Sequence, residues 1–345
     1  MGSGADRLRW RLAEDEEAGA LFPDERRTTR HVGTGAFRGL EFLHVNAQRI
    51  VNRVPAGATS LGFDYTVNPY RGCSHACTYC FARPTHAYLG LDIGRDFERK
   101  IVVKVNAVER LEAELASARW GGDSIALGTN TDPYQAAEGK YHLTRGIVRV
   151  LSEAENPFSI LTKSTLVLRD LDLLVAAAGR TRVRLDLSIG TLDRELWRST
   201  EPGTPPPQGR LEAVRRLNEA GVACGVLVAP ILPGLSDSAG QIEAVVDAAL
   251  AAGAVSVTGV PLHLRGAMKE HYLGWLADAH PDLVPEHERR FANGAYQPRA
   301  ERDRIARLIA AKCPPRARPA VTADVPGAAT AAPPGGVPVQ LRLVS

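Results

Sequence analysis

The sequence has no run that approaches the ~20 apolar residues of a membrane-spanning helix. Its first residues, Met-Gly-Ser-Gly-Ala-Asp, lack the charged and apolar segments of a secretory signal. Cysteine is scarce, and three of the five cysteines lie within eight residues, which does not make a disulfide framework. We therefore expect a cytoplasmic protein with no part in the membrane.

Strong charge of either sign is also missing. The net charge of 345 residues is +3, too small to indicate nucleic-acid binding, which needs clustered basic residues. Hydrophobic residues make up 44% and charged residues 23%, the mixture of an ordinary globular protein. The length allows one large α/β domain, but composition does not indicate a substrate.

Cys73, Cys77 and Cys80 form a Cys-x3-Cys-x2-Cys motif. Thiolates are soft ligands that favour zinc, copper(I) and iron–sulfur clusters, and this spacing lets one loop surround one metal centre. Ordinary cubane clusters and structural zinc sites use four protein ligands. The motif is one ligand short, which leaves one metal position open for chemistry.

With the aromatic Tyr79 directly before Cys80, the motif resembles the signature of the radical S-adenosylmethionine (SAM) superfamily. The resemblance implies that Cys73, Cys77 and Cys80 hold three irons of one [4Fe-4S] cluster, while the fourth iron chelates the amino and carboxylate groups of SAM. It further implies reductive cleavage of SAM to a 5′-deoxyadenosyl radical, with an electron donor such as flavodoxin or ferredoxin.

The same cysteines have an alternative interpretation, a noncatalytic zinc- or DNA-binding module in which His75 or His86 is the fourth ligand. Four arginines near the motif fit this alternative: Arg71, Arg83, Arg95 and Arg99. Against it, the chain has no second Cys-x2-Cys half, which the common zinc ribbons use, and a Cys3His site has no need of Tyr79.

Short apolar strands alternate with amphipathic helices after residue 60. The strands are predicted at residues 63–67, 124–128, 158–162, 183–189, 222–228 and 255–260, and residues 101–120 are predicted as one helix between the first two. Six βα-type units imply a parallel sheet with right-handed crossovers. We expect an α/β fold, a partial (β/α)6 TIM-like barrel of the radical SAM type with a helical C-terminal cap.

The predicted domain organisation has four parts. A partly disordered N-terminal extension covers residues 1–60, and the radical SAM core covers residues 61–265. A helical extension follows at residues 266–312, with helices predicted at 267–280, 285–294 and 298–311. The last part, residues 313–345, is a flexible tail rich in proline and alanine, which cannot bury enough apolar surface to fold.

Chemistry in such barrels collects at the carboxyl ends of the strands, where Thr131, Lys163 and Ser188 are predicted to lie. Many superfamily members carry Gly-Gly-Glu after the second strand, whereas this chain has Gly128-Thr129-Asn130-Thr131-Asp132. Together with Leu161-Thr-Lys163 and Ser199-Thr-Glu-Pro-Gly203, this departure resembles the spore photoproduct lyase-like branch.

That resemblance implies cofactor contacts for Tyr79, Thr131, Lys163 and Ser188. A lysine ammonium can pair with the SAM carboxylate, and hydroxyls can bond its ribose or amino end. The structural alternatives are an exposed lysine after a strand and a serine satisfied within the sheet.

The substrate stays open, with nucleic acid and DNA repair suggested by the same resemblance. Thr129 stands where spore photoproduct lyases have a hydrogen-donating cysteine. A hydroxyl is a far poorer hydrogen-atom donor than a thiol, so thymine-dimer reversal by that route is not expected.

The terminal Gln340-Leu-Arg-Leu-Val344 resembles the short peptides that dock into the bacterial sliding clamp, which makes the clamp a candidate partner. Its alternative is a last strand pairing with a sheet edge.

Overall fold

A computed structural model describes residues 28–54 and 63–313 of the chain. In chain order the strands of this part are β1 Thr29–Val32, β2 Glu41–Val45, β3 Val51–Arg53, β4 Tyr65–Val67, β5 Tyr70–Arg71, β6 Lys100–Lys104, β7 Ile125–Leu127, β8 Phe158–Thr162, β9 Val183–Ser188, β10 Cys224–Ile231 and β11 Val257–Pro261. The α-helices are α1 Arg95–Arg99, α2 Ala107–Leu115, α3 Glu138–Tyr141, α4 Leu143–Glu153, α5 Leu171–Ala178, α6 Arg194–Thr200, α7 Pro207–Glu219, α8 Ala239–Ala251, α9 Ala267–Ala279, α10 Val284–Arg290 and α11 Arg299–Lys312.

The main sheet has seven strands in the order β11-β10-β9-β8-β7-β4-β3. Neighbouring strands of this sheet pair in parallel from β4 to β11, and β3 pairs antiparallel with β4 at one edge. These six parallel strands confirm the predicted partial (β/α)6 barrel. Within residues 28–54 and 63–313 the two edge strands do not pair, so the barrel is open.

The parallel strands form because they are apolar runs that helices cover on the outside. All three residues of β7 are buried, as are seven of the eight residues of β10. Helix α4 turns Ile147, Val150 and Leu151 into the same core, as its 3.6-residue period predicts. Helix α8 begins at a capping box in which the side chains of Ser238 and Gln241 bond each other's backbone amides.

A second sheet, in the order β1-β2-β6-β5, was not predicted. The prediction of one helix over residues 101–120 is wrong in its first part, because residues 100–104 are strand β6 and the helix begins at Ala107. Ile101, Val102 and Val103 are β-branched and buried between β2 and β5. Pairing with strands far away in the sequence overrides the helical period of this segment.

The helices of the predicted cap are present as α9, α10 and α11, each within a few residues of its predicted bounds. Met268, Tyr272 and Leu276 of α9 share a buried apolar cluster with Cys77 and Tyr79 of the cysteine motif. The helical C-terminal segment therefore packs directly on the loop that carries the thiols.

Part of the predicted organisation is not tested by these elements. The domain boundaries stay a prediction, and the terminal residues 340–344, with the clamp-binding hypothesis, lie outside the described residues. In the described part of the chain, no helix has the length and apolar character to cross a bilayer.

Candidate metal centre and cofactor site

The cysteine loop follows β4 and β5 at the carboxyl edge of the main sheet. Gly72 begins the loop with φ of +80°, and a Cβ at this position would lie 2.9 Å from both the Phe97 carbonyl oxygen and the His86 ring. Only glycine fits such a backbone without strain. The Cys73 amide donates to the Phe97 carbonyl at 2.9 Å, which fixes the first thiol relative to helix α1.

The side chain of Arg83 is fully buried and holds the other end of the cysteine loop through hydrogen bonds. Its Nε donates to the Cys77 carbonyl at 2.9 Å, and its Nη1 donates to the carbonyls of Ile93 and Gly94 at 3.1 and 3.0 Å. Its Nη2 pairs with Glu98 at 2.5 Å. This arginine is therefore occupied inside the protein and does not offer its charge to DNA.

The segment at the end of helix α6 holds the middle of the loop. The amide of Thr78 donates to the Thr200 carbonyl at 3.0 Å, and the amide of Gly203 donates to the His75 carbonyl at 3.0 Å. A Cβ on Gly203 would lie 2.2 Å from the Ser74 carbonyl oxygen. The approach is that close because position 203 has no side chain.

Thr131 lies against the same loop. Its hydroxyl donates to the Gly72 carbonyl at 2.6 Å. Gln135 donates to the same carbonyl at 2.9 Å and accepts from the Ser74 amide at 3.0 Å. Among the described residues, no hydrogen bond or ion pair joins Thr131 to Lys163 or Ser188. Sequence reasoning missed Gln135; the one available signal was its place four residues after Thr131.

The three thiols lie free of disulfide bonds, and burial raises the pKa of each. Backbone amides oppose this effect of burial on the pKa. The His75 amide favours the Cys73 thiolate, and the amides of Ala82 and Arg83 favour the Cys80 thiolate. Amide groups directed at cysteine sulfur are a usual feature of iron–sulfur sites, where they stabilise the metal-bound thiolate. The donor set thus fits a cluster with one open iron.

The two histidines of the zinc alternative have partners of their own. His75 Nδ1 lies 3.3 Å from an Asp132 carboxylate oxygen. His86 Nε2 lies 3.0 Å from the Lys100 carbonyl, and burial lowers the His86 pKa to about 4. Its Nδ1 is buried and has no hydrogen-bond partner among the described residues. In that part of the chain no three His, Cys, Asp or Glu side chains are arranged to hold a single metal ion.

Asp132 links this loop to the end of strand β8. Its carboxylate accepts from the Thr162 hydroxyl and the Lys163 amide, each at 2.7 Å. Burial alone would raise the Asp132 pKa, but His75 and these hydrogen bonds hold it below its ordinary value. The ionised Asp132 carboxylate therefore links the cysteine loop to the end of strand β8.

A buried network of charged and hydroxyl groups lies beside the last two cysteines. The Tyr79 hydroxyl donates to Glu201, whose other carboxylate oxygen accepts from Arg210. The Arg210 guanidinium also donates to the Ser188 carbonyl at 2.8 Å. Burial opposes ionisation of Glu201, yet Lys163 and Arg210 lower its pKa to about 2.

Lys163 completes this network. Its Nζ lies 2.5 Å from the Ser188 hydroxyl, 3.5 Å from Glu201 and 5.6 Å from the centre of the Tyr79 ring. The structure therefore brings together three of the four predicted cofactor residues, Tyr79, Lys163 and Ser188. Lys163 and Arg210 carry two positive charges and Glu201 carries one negative charge. The network therefore has one unbalanced positive charge, which suits an anionic ligand group.

An open parallel α/β barrel with three thiols at its carboxyl edge is the architecture of enzymes that hold a site-differentiated iron–sulfur cluster. A family model described as the radical SAM superfamily matches residues 67–247. The chain belongs to the radical SAM superfamily, and membership implies binding of SAM and of an iron–sulfur cluster.

Relatives in several organisms share this core. An uncharacterized protein of Mycobacterium tuberculosis is 46% identical over 285 residues, which are 81% of this chain and 84% of the relative. An uncharacterized protein of Methanocaldococcus jannaschii is 28% identical over 57% of this chain and 70% of its own.

Solved structures of spore photoproduct lyase have the same fold. One complexed with dinucleoside spore photoproduct has a TM-score of 0.55 at 16% identity, covering 75% of this chain and 77% of its own. A variant with bound AdoMet and the same photoproduct has a TM-score of 0.56 at 17% identity, with the same coverage of both chains. Identities this low establish similarity of fold alone.

Proposed function

We propose that the protein is a radical SAM enzyme in which Cys73, Cys77 and Cys80 bind one [4Fe-4S] cluster. The observation that carries the proposal is the pairing of this three-thiol loop with a buried network of net positive charge directly beside it. The bound cluster would supply one electron, taken from a flavodoxin or ferredoxin, to break the bond between sulfur and the 5′ carbon of SAM, giving methionine and a 5′-deoxyadenosyl radical.

In this proposal Lys163 pairs with the carboxylate of SAM, and the Ser188 hydroxyl accepts from the Lys163 ammonium and orients it. Tyr79 contributes its ring face, which the hydrogen bond to Glu201 holds in one orientation. Thr131 is a positioning residue, because its hydroxyl contacts the cysteine loop at Gly72. Burial of the whole network keeps bulk water away from the charges that hold the cofactor.

The substrate we propose is a nucleic acid, with a nucleobase as the group that contacts the protein. Phe81 directly follows the last cysteine and is 55% exposed, and Tyr296 is equally exposed. The His263 ring lies between them, 6.0 Å from Phe81 and 5.7 Å from Tyr296. Exposed aromatic faces of this kind stack on unpaired bases.

The residue type at position 129 limits the reaction that we propose. Its hydroxyl accepts from the Asn68 amide at 3.3 Å and offers no thiol. We therefore do not propose a reaction that ends with hydrogen return from this position.

Anaerobic reconstitution with iron and sulfide, followed by reduction with dithionite in the presence of SAM, tests the proposed class. We expect a brown protein that forms 5′-deoxyadenosine, and loss of this product in Cys77→Ala. The matched control is Cys224→Ala, which removes a core thiol of β10 far from the loop and should retain the product. A colourless protein that holds zinc and forms no 5′-deoxyadenosine would overturn the proposal in favour of the zinc-binding alternative.

The cofactor contact has its own test. Lys163→Met should weaken SAM binding by about tenfold, roughly 1.4 kcal/mol, while the iron content of the protein is retained. Lys312→Met, which removes an exposed lysine on α11, should bind SAM like the wild type. Equal affinity in Lys163→Met would remove Lys163 from the proposed site.

A further inference from the structure

A small polar pocket lies at the carboxyl ends of β4 and β7, beside the cysteine loop. Its volume is about 30 Å³. The lining residues are Asn52, Asn68, Tyr70, Arg71, Lys104 and Asn130. A water molecule needs roughly 10–15 Å³ measured in this way, so the pocket has room for about two oxygen-sized groups.

Two cations line the pocket. Nη1 of Arg71 is buried and has no hydrogen-bond partner among the described residues. Nζ of Lys104 donates to the Asn68 carbonyl at 2.8 Å, and no ion pair to either cation is found in the same part of the chain.

Glu114 is the acidic residue whose charge acts on Lys104. Its carboxylate is already used, because it accepts from the amides of Ile50 and Val51 at 2.6 and 3.3 Å. Two half-buried cations without a paired carboxylate repel each other, which is costly to a fold. Such an arrangement is expected where a ligand supplies the missing negative charge.

One side chain, that of Asn68, holds part of the pocket lining in place. Asn68 Oδ1 accepts from the Asn130 amide at 3.2 Å, and Asn68 Nδ2 donates to the Thr129 hydroxyl at 3.3 Å. These bonds join the end of β4 to the turn after β7. The pocket is therefore formed by strands and strand ends of both sheets and does not depend on a surface loop.

We propose that this pocket binds a phosphate group, with Arg71 and Lys104 as its cationic partners. Arginine presents two N–H groups in a fork that matches two oxygens of a phosphate, and lysine adds a point charge. The pocket has room for the two non-bridging oxygens of one phosphodiester. Assignment of this phosphate to a nucleic-acid substrate rests on the proposed function, since the pocket opens at the same sheet edge as the thiols.

Calorimetric titration with inorganic phosphate, against chloride at equal ionic strength, tests the site directly. We expect Arg71→Gln and Lys104→Met each to weaken phosphate binding by at least tenfold. Lys100→Met removes a lysine from the opposite end of β6, where it pairs with Asp96, and should bind phosphate like the wild type. Equal phosphate affinity in all four proteins would overturn the assignment.

Thermal unfolding controls for loss of fold. Without phosphate, Lys104→Met should unfold no earlier than the wild type, because the substitution relieves repulsion between two half-buried cations. The wild type should gain thermal stability on addition of phosphate, and Lys104→Met should gain none. A Lys104→Met protein that is stabilised by phosphate as strongly as the wild type would contradict the proposal.

The source of the phosphate is tested with two further ligands. Thymidylyl-thymidine, which carries one phosphodiester, should compete with inorganic phosphate, and thymidine should not. Competition by SAM would instead assign the pocket to the cofactor carboxylate and overturn the substrate assignment. Because these titrations need neither the cluster nor reduction, absence of 5′-deoxyadenosine in the wild type would refute the proposed function and leave the phosphate result standing.

Discussion

The hydroxyl of Tyr79 donates a hydrogen bond to the carboxylate of Glu201, and the two residues are 122 positions apart in the chain. The bond connects the residue before the last cysteine with the segment that follows helix α6. It fixes the aromatic ring beside the thiols and shares its acceptor with Lys163 and Arg210. The cysteine loop and the candidate cofactor network are therefore one connected unit.

Tyr79→Phe should lower the free energy of unfolding by about 2 kcal/mol, because it removes a buried hydrogen bond to a charged group. Urea unfolding of the protein measures the change. Tyr272→Phe is the control, since the Tyr272 hydroxyl is buried and has no hydrogen-bond partner among the described residues. The control should be neutral or slightly stabilising, and equal losses in the two variants would show that the bond to Glu201 contributes nothing.

Glu201→Gln should be more damaging than Tyr79→Phe. It leaves the charges of Lys163 and Arg210 buried without their carboxylate, which costs about 3 kcal/mol when one partner of a buried pair is removed. The exposed Glu112→Gln, which weakens a surface pair with Arg149, should change stability by less than about 1 kcal/mol. A Glu201→Gln protein as stable as Glu112→Gln would contradict the role assigned to this network.

Gly203→Ala should lower the iron and sulfide bound per chain after reconstitution. A methyl group at this position would lie 2.2 Å from the Ser74 carbonyl oxygen and would push the cysteine loop out of place. Gly240→Ala adds the same methyl group to helix α8 in open space and should retain full iron content. Full iron content in Gly203→Ala would show that the loop does not depend on this contact.

Stability should fall as the pH is lowered from about 6.5 to about 4, and His86 should account for part of this loss. Burial lowers the His86 pKa to about 4, so in this range the unfolded chain binds a proton that the folded chain does not. The expected slope is about 1 kcal/mol per pH unit. Unfolding of wild type and His86→Gln at several pH values measures it, and parallel curves for the two proteins would contradict the assignment.

Much of the fold could be predicted from short-range patterns. Strand β8 begins and ends where its apolar run does, and the ends of the parallel strands bring Lys163 and Ser188 together because neighbouring strands end at one edge. Strand β6 was missed because its partner β2 lies more than fifty residues away, and helical spacing of apolar residues also fits that segment.

The contiguous part of the candidate site could be predicted from the sequence. The thiols and Tyr79 are contiguous in the sequence and therefore visible as a motif. Arg210 has the sequence context of an exposed arginine in a helix, yet it is buried against Glu201. Arg71 and Lys104 meet in one pocket only because β5 and β6 pair. Long-range pairing of this kind leaves no local pattern in the sequence.

The central claim is that the three-thiol loop binds a cluster with one iron open to SAM. The most direct test is electron paramagnetic resonance of the reduced, reconstituted protein with and without SAM. The account predicts a [4Fe-4S]⁺ signal that changes when SAM is added, and no such signal in Cys77→Ala. A wild-type signal that SAM leaves unchanged, or a protein that takes up zinc and no iron, would contradict it.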